Sequence, residues 1–177
     1  MKQKFIEAYM DVAERFAQLS SAVRLQVGAI VVKDDRIISI GYNGMPAGWD
    51  NNCENVEWCS AGGWLSAEEI VEGWPYEGTY LDADGNEMQC RYRLKTKPEV
   101  LHAEANAITK LARSSESGEG ATIFVTHAPC MDCAKLIYQS GVATVYYKND
   151  YRSTQGVEFL LRSGVEVIRP HKPEEQP

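Results

Sequence analysis

The stretch GATIFVTHAPCMDCAKLIYQSG, residues 120–141, contains a strand, a tight turn and the start of a helix in one short segment. TIFVTHA (122–128) has the composition of a buried strand, and residues 131–140 carry apolar side chains at helical spacing. Cys130 and Cys133 therefore fall near the first turn of the helix. Because they are three positions apart, they lie on one helix face.

Strands and helices continue on both sides of this unit. Upstream, apolar residues spaced for one helix face predict an amphipathic helix at 4–19. Two β-branched runs within 25–44 flank a charged centre at 33–36, which predicts a hairpin. Beyond residue 98, the predicted elements are helices at 102–115, 131–140 and 154–163, and strands at 122–128, 144–149 and 165–170. Their alternation predicts crossover connections, with helices packed on sheet faces.

Residues 45–98 lack this periodicity and are rich in Gly, Pro, Trp, Asn and acidic residues. We expect an irregular insertion there, with one short helix that begins after Ser66 and has Glu69 three positions further on. The length of 177 residues and the hydrophobic content of 44% fit one domain, residues 1–170, followed by a polar tail at 171–177.

The bulk composition narrows the classes of function. A net charge of −7 argues against a broad grip on a nucleic-acid polymer, which needs many cationic groups. No apolar run has the length of a signal peptide core or a membrane span, so we expect a cytoplasmic protein with no membrane partner. The odd count of five cysteines argues against a disulfide framework and favours metal binding or burial.

A histidine and a glutamate open the helix in LHAEANAITKLA, residues 101–112. His102, Cys130 and Cys133 offer one imidazole and two thiols, and a helix N-terminus favours the thiolate that binds metal. Three protein ligands leave the fourth position of a zinc ion for water, as in catalytic sites. Glu104, two residues after His102, points in another direction and is placed to carry protons between that water and a substrate.

His-x-Glu together with Pro-Cys-x-x-Cys is the signature of zinc nucleobase deaminases. Each half alone has little specificity, since a lone Cys-x-x-Cys can be redox-active, structural or simply buried. The alternative is a structural zinc site, closed by a fourth ligand from Cys53, Cys59 or Cys90.

The chain resembles the deoxycytidylate (dCMP) deaminase family of the cytidine deaminase superfamily. The resemblance is carried by QVGAIVV, GYNGMPAG, HAEANAI, GATIFVTHAPCMDCAKLIYQSG and GVEFLLRSGVEVI, which together span most of residues 26–168. It implies a three-layer α/β/α cytidine deaminase-like fold with a mixed five-stranded sheet and helices on both faces. The implied reaction is hydrolysis of dCMP to dUMP and ammonia, which supplies the thymidylate precursor. Zn²⁺ would be held by His102, Cys130 and Cys133, with Glu104 as the proton shuttle.

The resemblance also implies a substrate site. Asn43 in GYNG would bind the sugar, although an asparagine at this position also suits a turn that bonds its own backbone. The monophosphate needs cationic or hydroxyl donors, for which Arg24, Tyr151 and Arg152 are the candidates. The alternative for each of these three is an ordinary exposed loop residue.

Regulation is a further implication of the resemblance. The family is commonly a homohexamer activated by dCTP and inhibited by dTTP, each with Mg²⁺. The effector would lie at Gly41, Tyr42 and Gly44 and at Arg113. Alternatively, Arg113 is a residue at the helix C-terminus that complements the dipole.

Two readings from other classes stay open. A single-stranded nucleic-acid cytosine deaminase would share the zinc site, but it would need a basic channel with stacking aromatic residues. A non-enzymatic binding module would need a closed zinc site with four ligands. Residues 49–97 depart most from the family pattern. Cys53, Cys59 and Cys90 could bind a second zinc there, but their spacing favours unliganded cysteines.

Overall fold

The computed structural model describes residues 1–59 and 73–170. The chain divides into two compact units, one formed by Met1–Asn52 with Glu99–Pro177 and the other by Cys53–Pro98. The short helix predicted after Ser66 and the tail at 171–177 lie outside the described residues. One domain spanning residues 1–170 stays a prediction.

The described elements of the first unit follow the predicted order, and the second unit adds three strands that were not predicted. The helices are α1 Gln3–Ala17, α2 Ala103–Leu111, α3 Met131–Gln139 and α4 Gln155–Arg162. The strands are β1 Gly28–Lys33, β2 Arg36–Tyr42, β3 Glu54–Trp58, β4 Tyr76–Leu81, β5 Glu87–Thr96, β6 Thr122–His127, β7 Thr144–Asn149 and β8 Glu166–Ile168. None of the described helices combines the length and the apolar composition needed to span a bilayer.

The predicted helix at 102–115 extends four residues too far at its C-terminal end, since α2 ends at Leu111. The amides of Arg113 and Ser114 bond to carbonyls three residues back, and the Ser114 hydroxyl also donates to the Leu111 carbonyl at 2.8 Å. Serine side chains compete for helix backbone groups in this way and favour a turn.

The first unit contains a mixed five-stranded sheet with the order β2-β1-β6-β7-β8. β1 is antiparallel to β2 and β6, whereas β6, β7 and β8 are mutually parallel. The predicted hairpin turn is confirmed: Lys33 pairs with Arg36, and Asp34 and Asp35 both have positive φ, at 49° and 57°. Two residues in this conformation make the turn type that matches strand twist.

Helices cover both faces of this sheet. On one face, α1 packs with a cluster formed by Ile6, Met10, Ala13, Ile30, Val32, Phe124 and Tyr146. On the other face, α2, α3 and α4 contribute Ala103, Ala107, Leu111, Ala134, Ile137 and Leu160 to a core with Ala29, Val31, Ile123, Val125 and Val145. The predicted three-layer α/β/α fold with a mixed five-stranded sheet is therefore confirmed.

The second unit contains a three-stranded antiparallel sheet with the order β3-β5-β4, so the prediction of an irregular insertion was wrong for this part. Aromatic rings of Trp58, Tyr76 and Tyr92 meet on it, with Trp58 and Tyr92 centroids 5.0 Å apart. Ion pairs join Arg93 to Glu57 and Arg91 to Glu77 across neighbouring strands. These cross-strand pairs stabilise a sheet whose sequence is too polar to stand out as strands.

The start of α2 lies against the backbone of β2. A Cβ added to Gly41 would lie 2.1 Å from the Ala103 carbonyl oxygen and 2.6 Å from the Ala107 nitrogen. Two positions before Gly41, the Ser39 hydroxyl donates to the Ala107 carbonyl at 2.7 Å. The helix that carries His102 and Glu104 is thus held by a backbone contact that only glycine allows.

We expect Gly41→Ala to lower the free energy of unfolding by about 1 to 3 kcal/mol, because the added methyl group would displace α2. Gly44→Ala is the matched control, since a Cβ at Gly44 meets no atom within 4 Å. Urea denaturation of both variants provides the comparison. Equal stability of the two variants would contradict the packing described here.

Candidate metal centre

Two helix N-termini meet on one face of the five-stranded sheet. His102 is the N-cap of α2, and Cys130 is the N-cap of α3. Both residues have extended backbone conformations, and Cys133 follows within the first turn of α3. Because α2 and α3 share one core cluster, the three side chains converge although His102 and Cys130 are 28 positions apart in the sequence.

The three predicted ligands come together in the geometry of a zinc site. The Nδ1 atom of His102 lies 3.5 Å from the Cys130 Sγ and 3.4 Å from the Cys133 Sγ. All the ligand atoms lie within 4.8 Å of one another. Zn–S bonds of about 2.3 Å and Zn–N bonds of about 2.0 Å at tetrahedral angles place N and S roughly 3.5 Å apart. The two N–S distances therefore fit a zinc ion bound by this donor set.

The protonation of this trio is set by its own hydrogen bonds. The Cys133 thiol and the His102 imidazole both bond to Cys130 and lower the pKa of its thiol to about 4. The pKa of Cys133 is raised, because its thiol donates to Cys130 and is buried. The pKa of His102 is raised chiefly by its bond to Cys130. These hydrogen bonds therefore favour a thiolate at Cys130, the form of cysteine that binds metal.

Glu104 lies beside the trio with a side chain only 4% exposed. Burial raises the pKa of its carboxyl to about 7, and the Cys133 thiol is among its hydrogen-bond partners. A carboxyl group with this pKa both accepts and donates protons near neutral pH. The role of Glu104 as a general acid and base stays a prediction.

Asn43 is buried and clamps the segment that precedes β1. Its side-chain oxygen accepts from the Val27 amide at 2.8 Å, and its side-chain amide donates to the Leu25 carbonyl at 2.8 Å. Its backbone amide donates to the Val27 carbonyl at 3.0 Å. These bonds satisfy one of the two side-chain N–H groups, so a role toward a sugar stays a prediction.

Tyr151 and Arg152 lie in the connection from β7 to α4. The Arg152 guanidinium lies 5.5 Å from the centre of the Tyr151 ring. Asn149, two residues before Tyr151, is bonded to the segment that leads into Cys130, since the Ala128 amide donates to the Asn149 carbonyl at 2.8 Å. Arg24 is exposed in the connection before β1. Phosphate binding by these three residues stays a prediction.

The four residues predicted to bind an effector occupy distinct environments. Gly41 is buried under α2, and Tyr42 has the Lys110 ammonium 5.4 Å from its ring centre. Gly44 exchanges two backbone hydrogen bonds with Leu101, of 3.1 and 2.9 Å. Arg113 is exposed beyond the end of α2. Effector binding by this set stays a prediction.

The remaining cysteines lie in the second unit. Cys53 and Cys59 are buried, and the half-buried Cys90 thiol donates to the Cys59 carbonyl at 2.7 Å. Within the part of this unit that the structure describes, no three His, Cys, Asp or Glu donors gather as they do at His102, Cys130 and Cys133. The prediction that these cysteines bind no second zinc remains open to test.

Sequence reasoning missed the side chains that join the neighbouring strands to β6, the strand before Cys130. The Asn149 side chain donates to the Thr126 carbonyl at 2.9 Å, and the Thr126 hydroxyl accepts from the Gly28 amide at 3.2 Å. These bonds tie the end of β7 and the start of β1 to the strand that leads into Cys130. A polar residue at each strand end was the available signal, but only the strand order assigns its partner.

Comparison with known proteins gives a consistent result. Residues 3–149 match the profile of the cytidine and deoxycytidylate deaminase zinc-binding region. The deoxycytidylate deaminase of Enterobacteria phage T4 is 35% identical, with 92% of this chain and 88% of that protein aligned. The corresponding enzyme of phage T2 is 36% identical over 92% and 90%. The dCMP deaminase of cyanophage S-TIM5, solved in complex with dCMP and dUMP, is 42% identical with a TM-score of 0.73, covering 96% of this chain and 99% of that one.

We expect the purified protein to bind zinc stoichiometrically and His102→Ala or Cys133→Ser to lose it, because each variant removes one of three ligands. Cys90→Ser is the control, since its thiol bonds to a carbonyl in the second unit. Metal content after dialysis is the measurement. Retained zinc in both ligand variants, or its loss in Cys90→Ser, would rule out this site.

Proposed function

The chain belongs to the cytidine and deoxycytidylate deaminase family, and from this membership and its site we propose that it hydrolyses dCMP to dUMP and ammonia. Water replaces the exocyclic amino group at C4 of the cytosine ring, and the amino group leaves as ammonia. The product would supply the precursor for thymidylate synthesis. The observation that carries the proposal is the convergence of His102, Cys130 and Cys133 within 4.8 Å beside the buried Glu104.

The three converging side chains would hold Zn²⁺ in this reaction. When bound, zinc would act as a Lewis acid that lowers the pKa of water, so that hydroxide is available as the nucleophile at neutral pH. The chain itself contributes the two helix N-termini, whose dipoles favour the negative charge of the Cys130 and Cys133 thiolates. With three protein ligands, the arrangement leaves one position for water, as hydrolysis requires.

Glu104 would move the protons. As a carboxylate it accepts a proton from the attacking water, and as a carboxylic acid it returns protons to the ring nitrogen and the departing amino group. A pKa of about 7 makes both forms accessible at neutral pH. Burial serves this role, since desolvation disfavours the charged carboxylate and so raises the pKa of Glu104 toward neutral pH.

We predict that Glu104→Gln binds zinc normally but loses activity by about a hundredfold or more, because a proton carrier is removed and the ligands stay. Glu99→Gln removes an exposed carboxylate in the segment before α2 and is the matched control. Zinc content and the rate of ammonia release are measured for both. The assigned role is wrong if Glu104→Gln keeps full activity or if it loses the metal.

The substrate is proposed to bind beside the metal cluster, in contact with the segments that carry Arg24 and Asn43 and with the connection from β7 to α4. Asn43 would use its second side-chain N–H group toward the sugar, since the first donates to Leu25. Arg24, Tyr151 and Arg152 would provide the cationic and hydroxyl donors for the monophosphate. The complex of the cyanophage enzyme with dCMP and dUMP supports a substrate of this class.

A single-stranded nucleic-acid deaminase is the alternative from the same chemistry. We expect deamination of dCMP with little or no reaction of deoxycytidine, which lacks the monophosphate that the proposed donors would bind. A short single-stranded oligonucleotide should also react little, because the net charge of −7 disfavours a polymer. Parallel assays of these three substrates and dCTP, with Glu104→Gln as the blank, provide the test. Preference for the oligonucleotide would replace the proposal with the alternative.

The proposed enzyme is a homohexamer that dCTP activates and dTTP inhibits, each with Mg²⁺. The effector would contact Gly41, Tyr42, Gly44 and Arg113. The two hydrogen bonds between Gly44 and Leu101 support coupling, because they join the residue after Asn43 to the residue before His102. An effector that shifts this bridge would act on substrate and metal elements together. Coupling of this kind is typically worth about 1 to 3 kcal/mol.

Activity at sub-saturating dCMP is therefore expected to rise with dCTP and fall with dTTP, and Arg113→Glu to weaken both responses by removing a cation. Arg162→Glu is the matched control, an exposed arginine at the C-terminal end of α4. dCMP saturation curves with each effector and Mg²⁺, and the mass of the assembly in solution, are measured. Curves that neither effector moves in the parent protein would contradict regulation, and a normal response of Arg113→Glu would exclude that residue.

A further inference from the structure

Gly156, the second residue of α4, is buried against the turn that carries Cys130. A Cβ added there would lie 2.1 Å from the Pro129 carbonyl oxygen and 2.8 Å from both the carbonyl carbon and oxygen of Cys130. Non-bonded heavy atoms prefer separations of about 3.5 to 4 Å. The backbone of α4 therefore touches the metal-binding turn directly, with no room for a side chain.

α4 is held in place on its other contacts. Leu160 is fully buried in the core cluster that α2 and α3 share. The Phe159 ring meets the Tyr138 ring of α3 edge-on, with centroids 6.0 Å apart and planes at 88°. Moving α4 away from the turn would open both contacts. An atom added at Gly156 is thus more easily accommodated by moving the turn than by moving the helix.

The turn is joined directly to α3 and to a metal ligand. Pro129 is fully buried, and the Cys130 carbonyl accepts the first hydrogen bond of α3 from the Ala134 amide at 2.9 Å. Gly156 therefore presses on the peptide unit whose residue carries the Sγ atom 3.5 Å from the His102 Nδ1. A displacement of a few tenths of an ångström at this peptide changes the geometry of the ligand trio.

We propose that Gly156 is a positioning residue for the metal centre: its missing side chain lets α4 set the place of Cys130 relative to His102 and Cys133. The inference rests on the zinc site of the proposed function. It adds a residue that touches neither metal nor substrate and that acts only through the backbone of the Pro129–Cys130 turn.

The experiment compares Gly156→Ala with Gly118→Ala. Gly118 is a buried, crowded glycine in the connection from α2 to β6, where a Cβ would lie 2.5 Å from the Ser140 carbonyl oxygen at the C-terminal end of α3. Zinc affinity is measured by competition with a chromophoric chelator, and the ligand geometry by the absorption bands of the Co²⁺-substituted protein. Thermal unfolding of the metal-free proteins reports the general cost of crowding.

Both variants are expected to unfold at lower temperature, but only Gly156→Ala should lose about tenfold or more in zinc affinity and shift its Co²⁺–thiolate bands. Zinc affinity and Co²⁺ bands equal to those of the parent in Gly156→Ala would overturn the proposal. Equal losses of zinc affinity in the two variants would also overturn it, because they would show a general effect of stability.

If Gly156→Ala yields no folded protein, Leu160→Ala tests the same contact from the other side. Removing this side chain lets α4 draw back from the turn and should weaken zinc binding. Leu111→Ala is its control, a leucine of the same core cluster nine residues after His102 at the far end of α2. Equal zinc affinity in these two variants would overturn the proposal.

Zinc binding by the parent protein distinguishes a failure of this inference from a failure of the proposed metal centre. A parent that binds no zinc would remove the proposed metal centre itself, and the role of Gly156 with it. A parent that binds zinc stoichiometrically, with a Gly156→Ala variant that binds it equally well, removes the positioning role alone.

Discussion

The site depends on the close approach of helix backbones to the elements beneath them. α2 lies on Gly41 of β2, and α4 lies on the Pro129–Cys130 turn through Gly156. Each contact fixes one half of the ligand set, since α2 begins at His102 and the turn carries Cys130. Ligands supplied by separate helices converge only if both helices sit at the right height above the sheet. A protein interior packed at crystal-like density transmits such constraints over short distances.

The electrostatic character of the site follows from the same arrangement. Hydrogen bonds from Cys133 and His102 lower the pKa of the Cys130 thiol to about 4, whereas the burial that accompanies close packing raises the pKa of Glu104 to about 7. A thiol with a lowered pKa and a carboxyl group with a raised pKa thus arise at neighbouring positions. The residue types alone do not predict these opposite pKa shifts. The shifts depend on the hydrogen bonds that Cys130 receives and on the burial of Glu104.

Much of the first unit was predictable, since periodic apolar residues mark β1, β2, β6, β7 and the four helices of the first unit. The ligand trio was also predictable, because His-x-Glu and Pro-Cys-x-x-Cys are each local patterns. The second unit was not, as β5 carries charged residues paired across strands rather than an apolar face alone. Asn43 illustrates a different limit: its hydrogen bonds to Leu25 and Val27 depend on a loop that periodicity does not place. Gly156 gave a weak signal, since glycine within a helix is unfavourable unless another segment lies close.

The central claim is that His102, Cys130 and Cys133 make a zinc site with an open position. X-ray absorption at the zinc edge of the purified protein tests it most directly. The account predicts two sulfur ligands at about 2.3 Å and two nitrogen or oxygen ligands at about 2.0 to 2.1 Å, one from the histidine and one from solvent. A shell with three or more sulfur ligands would contradict it, because a further cysteine would then close the site to water.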